Sequence, residues 1–275
     1  MRTRLAKSVA VLGAILRVDN TAGDPIAILV NYACHPVIFG PDNLQYSVDW
    51  PGVMDVTVER AFAKENSRAA PVCFFLQGGD GDINPFFAVT PLTEDPVGRR
   101  DWTGDRIGQE AVRVAKSIVT KPEPEAKLQF TEDLLDMHLR WNVEKFRAAM
   151  LTSWGAEAAA SFDRNYHDPM RLPVATLLIN KRIAFMTMPG EPFVDFQNDW
   201  RNRCPVPDAF FMGYSNGDFG YFPTVLAASR GGYGAASTAT MMEVGAGERM
   251  VNHALMRVYE MLGRLIDEPE DLKKK

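Results

Sequence analysis

Four apolar runs, each ending in a polar loop that carries glycine or proline, set the layout of this chain. Residues 27–32 (Ala27-Ile28-Leu29-Val30-Asn31-Tyr32) are rich in aliphatic and β-branched side chains, which predicts a buried strand. That strand runs into His35 and is stopped by Pro36, which lacks the N–H a central strand needs. A strand over residues 9–18 is predicted before it, joined through the turn-rich Asn20-Thr21-Ala22-Gly23-Asp24-Pro25. Residues 72–77 predict a second buried strand, ending in Gly78-Gly79-Asp80-Gly81-Asp82-Ile83-Asn84-Pro85. Further on, residues 174–179 and 183–188 read as a hairpin joined at Asn180-Lys181-Arg182 and finishing in Pro189-Gly190-Glu191-Pro192. A strand over residues 209–213 then leads into a polar and aromatic stretch, 214–224, which contains Tyr221.

Helical periodicity fills the intervals. Asp49-Trp50-Pro51 reads as a helix start, with Asp49 capping and Pro51 in the first turn, followed by Val53, Val56, Ala61 and Phe62 as an apolar stripe to about residue 65. Ile107, Ala111, Val114, Ala115 and Ile118 describe an amphipathic helix over residues 103–118. After a linker, Lys121-Pro122-Glu123-Pro124-Glu125, residues 128–139 are expected to be extended and 142–162 helical, with Trp154-Gly155 as a weak point. Helices are also predicted over 193–203 and over 248–266, the latter turning Val251, Leu255, Val258, Leu262 and Leu265 to the core. This alternation predicts an α/β chain of mixed β-sheets packed with helices. It is read as one domain over residues 1–266 with a charged tail at 267–275.

Composition narrows the function classes. The 275 residues suffice for a full core, and 46% hydrophobic with 24% charged residues is an ordinary globular balance. A net charge of -5 gives no basic face for nucleic acid. No apolar run is long enough for a transmembrane segment. The basic start and the apolar residues 9–16 look superficially like an export signal, but Arg17-Val18-Asp19 follows with no small-x-small cleavage site, so the segment is read as a strand. Compartment and oligomeric state stay open. Three scattered cysteines exclude a disulfide framework and a paired-thiolate zinc site, and Cys34 and Cys73 read as small hydrophobes.

Candidate chemistry collects at the strand ends. His35 is either a satisfied loop residue or a ligand. Asp80, Asp82 and Asn84 match the first three ligand positions of a calcium loop, but Pro85 stands where its glycine must turn and Pro91 where its glutamate must close it. No Lys-Ser or Lys-Thr pair follows the glycines, which excludes a phosphate loop, and a tight turn remains as the plain reading. Glu191 opens a helix, so it either complements the positive helix end, worth about 0.3–1 kcal/mol, or ligates a metal. His138 and His167 lack neighbouring ligand types and His253 flanks the last helix, so all three read as structural or exposed.

Taken in order, Ala33-Cys34-His35-Pro36 with Ser47-Val48-Asp49, then Gly81-Asp82-Ile83-Asn84-Pro85, Pro189-Gly190-Glu191, residues 213–224 and Tyr233-Gly234-Ala235-Ala236-Ser237-Thr238 resemble the catalytic domain of the neutral/alkaline, non-lysosomal ceramidase family. The resemblance runs over about residues 10–262. It implies a zinc-dependent amide hydrolase in which His35, Glu191 and Tyr221 hold Zn2+ and Tyr233, twelve residues after Tyr221, steadies the reacting carbonyl. Gly79 and Asp82 are implied on the substrate-binding side, and Asn84 at a catalytic position. The family's second zinc histidine lies in a His-x-His motif upstream of the strand matched by residues 9–18. It is expected to have no counterpart here, as are a catalytic histidine and a substrate-gripping arginine of the same region and the family's C-terminal β-sandwich. Where the family has serine in Gly-Asp-x-Ser-Pro, this chain has Asn84, which donates hydrogen bonds but forms no acyl-enzyme. The resemblance therefore implies hydrolysis of an amide or ester bond in a lipid-like acyl substrate by zinc-activated water, whose pKa the ion brings to about 7. The competing expectation is a ceramidase-like scaffold without turnover, and no ceramidase activity is expected of this chain by itself.

Overall fold

The structure, a computed structural model, describes residues 13–63, 71–122, 125–266, 268, 269 and 272. It divides into two compact units, Met1–Pro124 and Glu125–Lys275.

In the first unit, β1 (Gly13–Asp19) runs antiparallel to β2 (Pro25–Tyr32), and β3 (Val72–Gln77) joins the other side of β2 in parallel. Residues 9–12 of the expected first strand lie outside the described residues. Parallel neighbours need a crossover, and α1 (Asp49–Phe62) supplies it. Its buried residues include Trp50, Met54 and Val58, one helical turn apart, whereas Val56 of the expected stripe is 42% exposed. These side chains pack with Ile28, Val30, Cys34, Ile38 and Cys73 in one apolar cluster. The next helix, α2 (Pro96–Ser117), starts well before the expected residue 103, because Pro96 occupies its first turn and the Asp95 carboxylate accepts from the Gly98 amide at 3.0 Å. Its buried face is made of small residues, Gly104, Gly108, Ala111 and Ala115. A Cβ on Gly104 would stand 2.5 Å from the Trp50 carbonyl oxygen, so glycine here lets α2 lie directly on α1.

In the second unit, β4 (Leu128–Met137), β5 (Met170–Ile179) and β6 (Ile183–Thr187) are antiparallel neighbours, and β8 (Asp208–Met212) adds to β6 in parallel. The expected hairpin between β5 and β6 turns at Asn180 and Lys181, with φ of 52° and 54°, the left-handed pair that a two-residue turn requires. The helix expected over 142–162 is two helices, α3 (Val143–Trp154) and α4 (Ala156–Asn165), broken at Gly155 with φ of 88°. Between β6 and β8 lie a short β7 (Glu191–Pro192) and α5 (Val194–Arg203). After β8 come β9 (Tyr221–Phe222), which pairs in parallel with β7, then α6 (Val225–Arg230) and α7 (Ala246–Met261). The core joins Met250, Val251, Ala254 and Val258 of α7 to Leu172, Val174, Met186, Trp200 and Phe211. α7 ends before the predicted residue 266, with Gly263 at φ of 65° beyond it, and Leu265 is 43% exposed rather than in the core.

A polar staple fixes α7 to the sheet. Arg257 grips Asp133 of β4 through Nε and Nη2, each at 2.8 Å, and Nε2 of His253 lies 2.9 Å from the same carboxylate. The hydrogen-bonded Arg257 guanidinium holds the Asp133 carboxyl at about 2, below the ordinary value of about 3.9. A carboxyl whose folded pKa is depressed stabilises the fold in full above the unfolded value and loses that contribution as pH falls through the folded one. Asp133→Asn is therefore expected to lower stability at pH 6 and to flatten the loss of stability between about pH 4 and 2, as read by urea denaturation across that range. An acid limb identical to that of the parent would show that the pair contributes nothing.

Candidate functional site

In the first unit the end of β2 is fastened from three sides around His35. The Asn31 side-chain amide donates to the Leu76 carbonyl at 2.9 Å, and Gln77 Nε2 donates to the Cys34 carbonyl at 3.2 Å, tying the ends of β2 and β3. The Ile83 carbonyl then accepts the His35 backbone amide at 3.0 Å and lies 3.0 Å from Nδ1 of the same residue. From the helix side, Trp50 Nε1 donates to the His35 carbonyl at 3.0 Å. Asp49 does not cap α1 in the expected way. It sits in the first turn with φ of 51°, and its buried carboxylate accepts the amides of Ile38 at 2.9 Å, Phe39 at 3.0 Å and Trp50 at 2.7 Å. It thus joins the loop after His35 to the start of α1.

His35 is only 8% exposed, and its Nδ1 faces two acceptors, the Ile83 carbonyl and, at 3.6 Å, the fully buried Asp80 carboxylate. Both are acceptors, so Nδ1 is the donor here; in the neutral ring this leaves the lone pair on Nε2, the tautomer that metal-binding imidazoles adopt when a carbonyl or carboxylate stands behind them. Cys34, beside it, is a buried thiol pushed up to about 12 by burial and then by the Asp80 charge, which fits its reading as a small hydrophobe. The loop that supplies Ile83 closes on itself through the Ile83 amide and the Asp80 carbonyl at 2.7 Å. Within it Gly79 is buried, whereas Asp82 and Asn84 are exposed.

The second unit brings three of the candidate residues together. β7 and β9 pair in parallel with Glu191 opposite Tyr221, which sets carboxylate and phenol abreast on adjoining strands. Glu191 lies two residues ahead of Phe193, the N-cap of α5, and its backbone belongs to the strand pair. The Glu191 amide donates to the Gly220 carbonyl at 2.9 Å, and the Tyr221 amide to the Ala239 carbonyl at 2.8 Å. The Tyr221 ring lies 5.5 Å from that of Tyr233, edge to face. Gly234, with φ of 72°, makes room for this, since a Cβ there would stand 2.9 Å from the Tyr221 ring. Glu191 and Tyr221 are half-buried, and Tyr233 is 70% exposed.

Sequence reasoning missed the residues that hold the Tyr233 loop. Arg140 donates to the Ala235 carbonyl at 2.6 Å and stacks 4.4 Å above Trp141, whose Nε1 donates to the Thr240 carbonyl. The available signal was a cation beside an indole at the end of a predicted strand. His138 pairs with Asp168 at 2.7 Å on the surface, in keeping with its structural reading.

Among the described residues no group of three or more His, Cys, Asp or Glu side chains is arranged to hold a metal ion. The zinc set implied by the resemblance counts the phenol of Tyr221, a ligand type that such a group does not include. The residues suit such an ion in two respects: the His35 tautomer presents Nε2, and Glu191 and Tyr221 stand in register.

No protein-family profile matches the chain, and no curated protein matches it in sequence. Solved structures do match its fold. The crystal structure of neutral ceramidase from Pseudomonas aeruginosa aligns with 92% of this chain at a TM-score of 0.69 and 14% identity. A ceramidase complexed with C2 aligns with 93% at a TM-score of 0.65 and 14% identity. The chain spans about half the length of these structures, 47% and 48%. The likeness establishes the fold, a mixed α/β architecture like that of the neutral-ceramidase structures.

The fastening of His35 makes a direct test. Trp50→Phe keeps the ring against Tyr32 and Phe75, which it meets edge-on at 5.8 Å and 5.0 Å, but removes the donor to the His35 carbonyl. Leaving that carbonyl without its indole donor, with the weaker Cys34 thiol at 3.7 Å still beside it, is expected to cost about 1 kcal/mol in chemical denaturation. An unchanged midpoint would mean that the bond does not hold the strand end.

Proposed function

We propose that this chain carries catalytic machinery of a zinc-dependent, ceramidase-like hydrolase that cleaves the amide or ester bond of a lipid-like acyl substrate, with His35, Glu191 and Tyr221 as metal ligands. The observation that carries the reading is the in-register pairing of Glu191 with Tyr221 beside Tyr233, on a fold of the neutral-ceramidase kind. Zinc, when bound, supplies a Lewis acid and makes hydroxide available near neutral pH.

The chain's own residues divide the remaining work. The Ile83 carbonyl and Asp80 carboxylate hold the His35 ring in orientation and raise the basicity of Nε2. The exposed Tyr233 phenol donates to the substrate carbonyl as negative charge develops on its oxygen, and the Asn84 amide is a second donor of the same kind. Gly79 and Asp82, in the same loop as Asn84, are assigned to substrate binding. The competing reading, a scaffold that binds without turnover, draws on Asn84, which removes the nucleophile of the resembled family.

Two measurements decide. Chelator-stripped protein titrated with Zn2+ against a chromophoric chelator is expected to show one saturable site, weakened at least about tenfold in Glu191→Ala and in Tyr221→Phe, since even outer partners of a metal site contribute about 10–100-fold. Equal affinity in parent and variants would remove these residues from the ligand set. Serine-directed phosphonates are expected to leave the protein unlabelled, because Asn84 cannot be acylated. Stoichiometric labelling within residues 78–85 would instead place a covalent step in this loop.

A further inference from the structure

The loop between β8 and β9 is held at both ends and open in the middle. On the entering side the Tyr214 amide donates to the Gly190 carbonyl at 2.8 Å and the Ser215 amide to the Met188 carbonyl at 3.1 Å. On the leaving side the Gly220 amide donates to the Asp218 carboxylate at 2.9 Å and the Tyr221 amide to the Ala239 carbonyl at 2.8 Å. Between them stand Asn216 and Gly217, both exposed. Among the described residues, neither the Asn216 carboxamide nor the Gly217 amide has a hydrogen-bond partner. Asn216 also adopts φ of 67°, a left-handed conformation that strains a residue with a side chain.

Asn216-Gly217 is the only Asn-Gly pair in the sequence, and such a pair carries a reaction of its own. The Gly217 nitrogen bonds to Cγ of Asn216 while the bond from Cγ to Nδ2 breaks, and ammonia leaves with the proton of the attacking amide. A Cβ on the attacking residue would crowd this approach, and glycine has none. Water then opens the resulting succinimide at either carbonyl and returns a proton to the Gly217 nitrogen, which leaves aspartate or isoaspartate at 216. Nothing is oxidised; water is consumed and ammonia released. Other asparagines are shielded. Oδ1 of Asn20 accepts the amides of Ala22 and Asp24, each at 2.9 Å, and that of Asn180 accepts the Lys127 amide at 2.8 Å. Asn84 precedes Pro85, which has no N–H to attack with.

We propose that Asn216 is a spontaneous modification site, converted through a succinimide to isoaspartate as the folded protein ages, and that the change loosens the pairing of Glu191 with Tyr221. Isoaspartate routes the main chain through the side-chain carbon, which lengthens the loop and releases the strain at 216. It also sets a second carboxylate two residues from Asp218, whose bond to the Gly220 amide shapes the turn into β9. The consequence for catalysis rests on the function proposed above, but the modification and the loosening need neither zinc nor turnover.

The test is to incubate the folded protein in mildly alkaline buffer and to follow the tryptic peptide of residues 204–230 by mass and by methyl labelling with an isoaspartyl methyltransferase. Labelling is expected there ahead of every other asparagine, and faster as pH rises, because the nucleophile is the deprotonated amide nitrogen. Amide hydrogen exchange over residues 188–193 and 219–223 is expected to rise about tenfold in the aged protein, as losing the contribution of one backbone hydrogen bond requires. Asn216→Gly, in which glycine holds the left-handed φ without strain, is expected to abolish the mass change and to keep exchange constant through the incubation. An unmodified peptide in the folded protein under conditions that modify the urea-unfolded chain, or modification with exchange unchanged, would overturn the proposal. Failed zinc binding by fresh protein would sink the zinc reading and leave the modification standing, whereas an unmodified chain that binds zinc would sink the modification alone.

Discussion

Parallel pairing of two strands is the constraint on which the candidate residues depend in each unit. Antiparallel neighbours end at opposite edges of a sheet, whereas parallel neighbours end at the same edge and require a crossover between them. In the first unit the register Tyr32 opposite Gln77 sends the Cys34-His35 segment and the loop of residues 78–85 out together, so the Ile83 carbonyl is at hand for His35. In the second unit the register Thr187 opposite Met212 does the same for residues 188–191 and 213–221. The pairing continues past the sheet: the Met188 amide donates to the Met212 carbonyl at 2.8 Å, the Tyr214 amide to the Gly190 carbonyl at 2.8 Å, and β7 and β9 resume in register. Polar residues gather at such edges because the strand ladder ends there and leaves loops free to present side chains.

Holding loops so close has steric and polar costs that particular residues meet. Gly190 and Gly220 adopt φ of 129° and 71°, and a Cβ on either would run into a backbone carbonyl, of Gly220 and Ala239 respectively. Only glycine allows that approach. In the first unit the difficulty is instead backbone polarity, since the chain leaves β2 through the buried residues Ala33, Cys34, His35 and Ile38 before it turns out to solvent. The Asp49 carboxylate answers it by accepting three amides, and the Trp50 indole by donating to the His35 carbonyl. Buried backbone groups rarely go without partners, and here adjacent side chains at one helix start supply them.

The strands and their polar ends were legible because both rest on local signals. β2, β3, the hairpin of β5 and β6, and β8 each follow from an apolar run closed by glycine, proline or asparagine. Less legible was whatever depends on distant partners. α2 starts at Pro96 because Asp95 caps it, a signal outweighed by the later run of apolar positions. The buried face of α1 follows Trp50, Met54 and Val58 because the small residues of α2 and the β2–β3 sheet surround it, which periodicity alone cannot reveal. The pairing of β7 with β9 involves only two residues on each strand, too few for any pattern to show. The resemblance to ceramidases located Glu191 and Tyr221 without giving their register. Arg140 and Trp141 act on carbonyls far along the chain, and their only local sign was a cation beside an indole at a strand end, which names no partner.

On the proposed reading, the candidate residues at these edges act as hydrogen-bond donors and metal ligands. Cys34, the soft atom nearest His35, is held as a neutral thiol by burial and by the Asp80 charge. Asn84 and Tyr233, the exposed candidates for contact with a carbonyl, both carry groups able to donate hydrogen bonds. On the function proposed above, such donors act by binding developing negative charge on an acyl oxygen, the electrostatic route to acyl transfer, with the attacking group drawn from solvent. Nitrogen and oxygen donors of this kind also match the borderline character of zinc better than that of ions selected by thiolates. The donor set, the tautomer of His35 and the absence of serine at position 84 thus belong to one chemical logic.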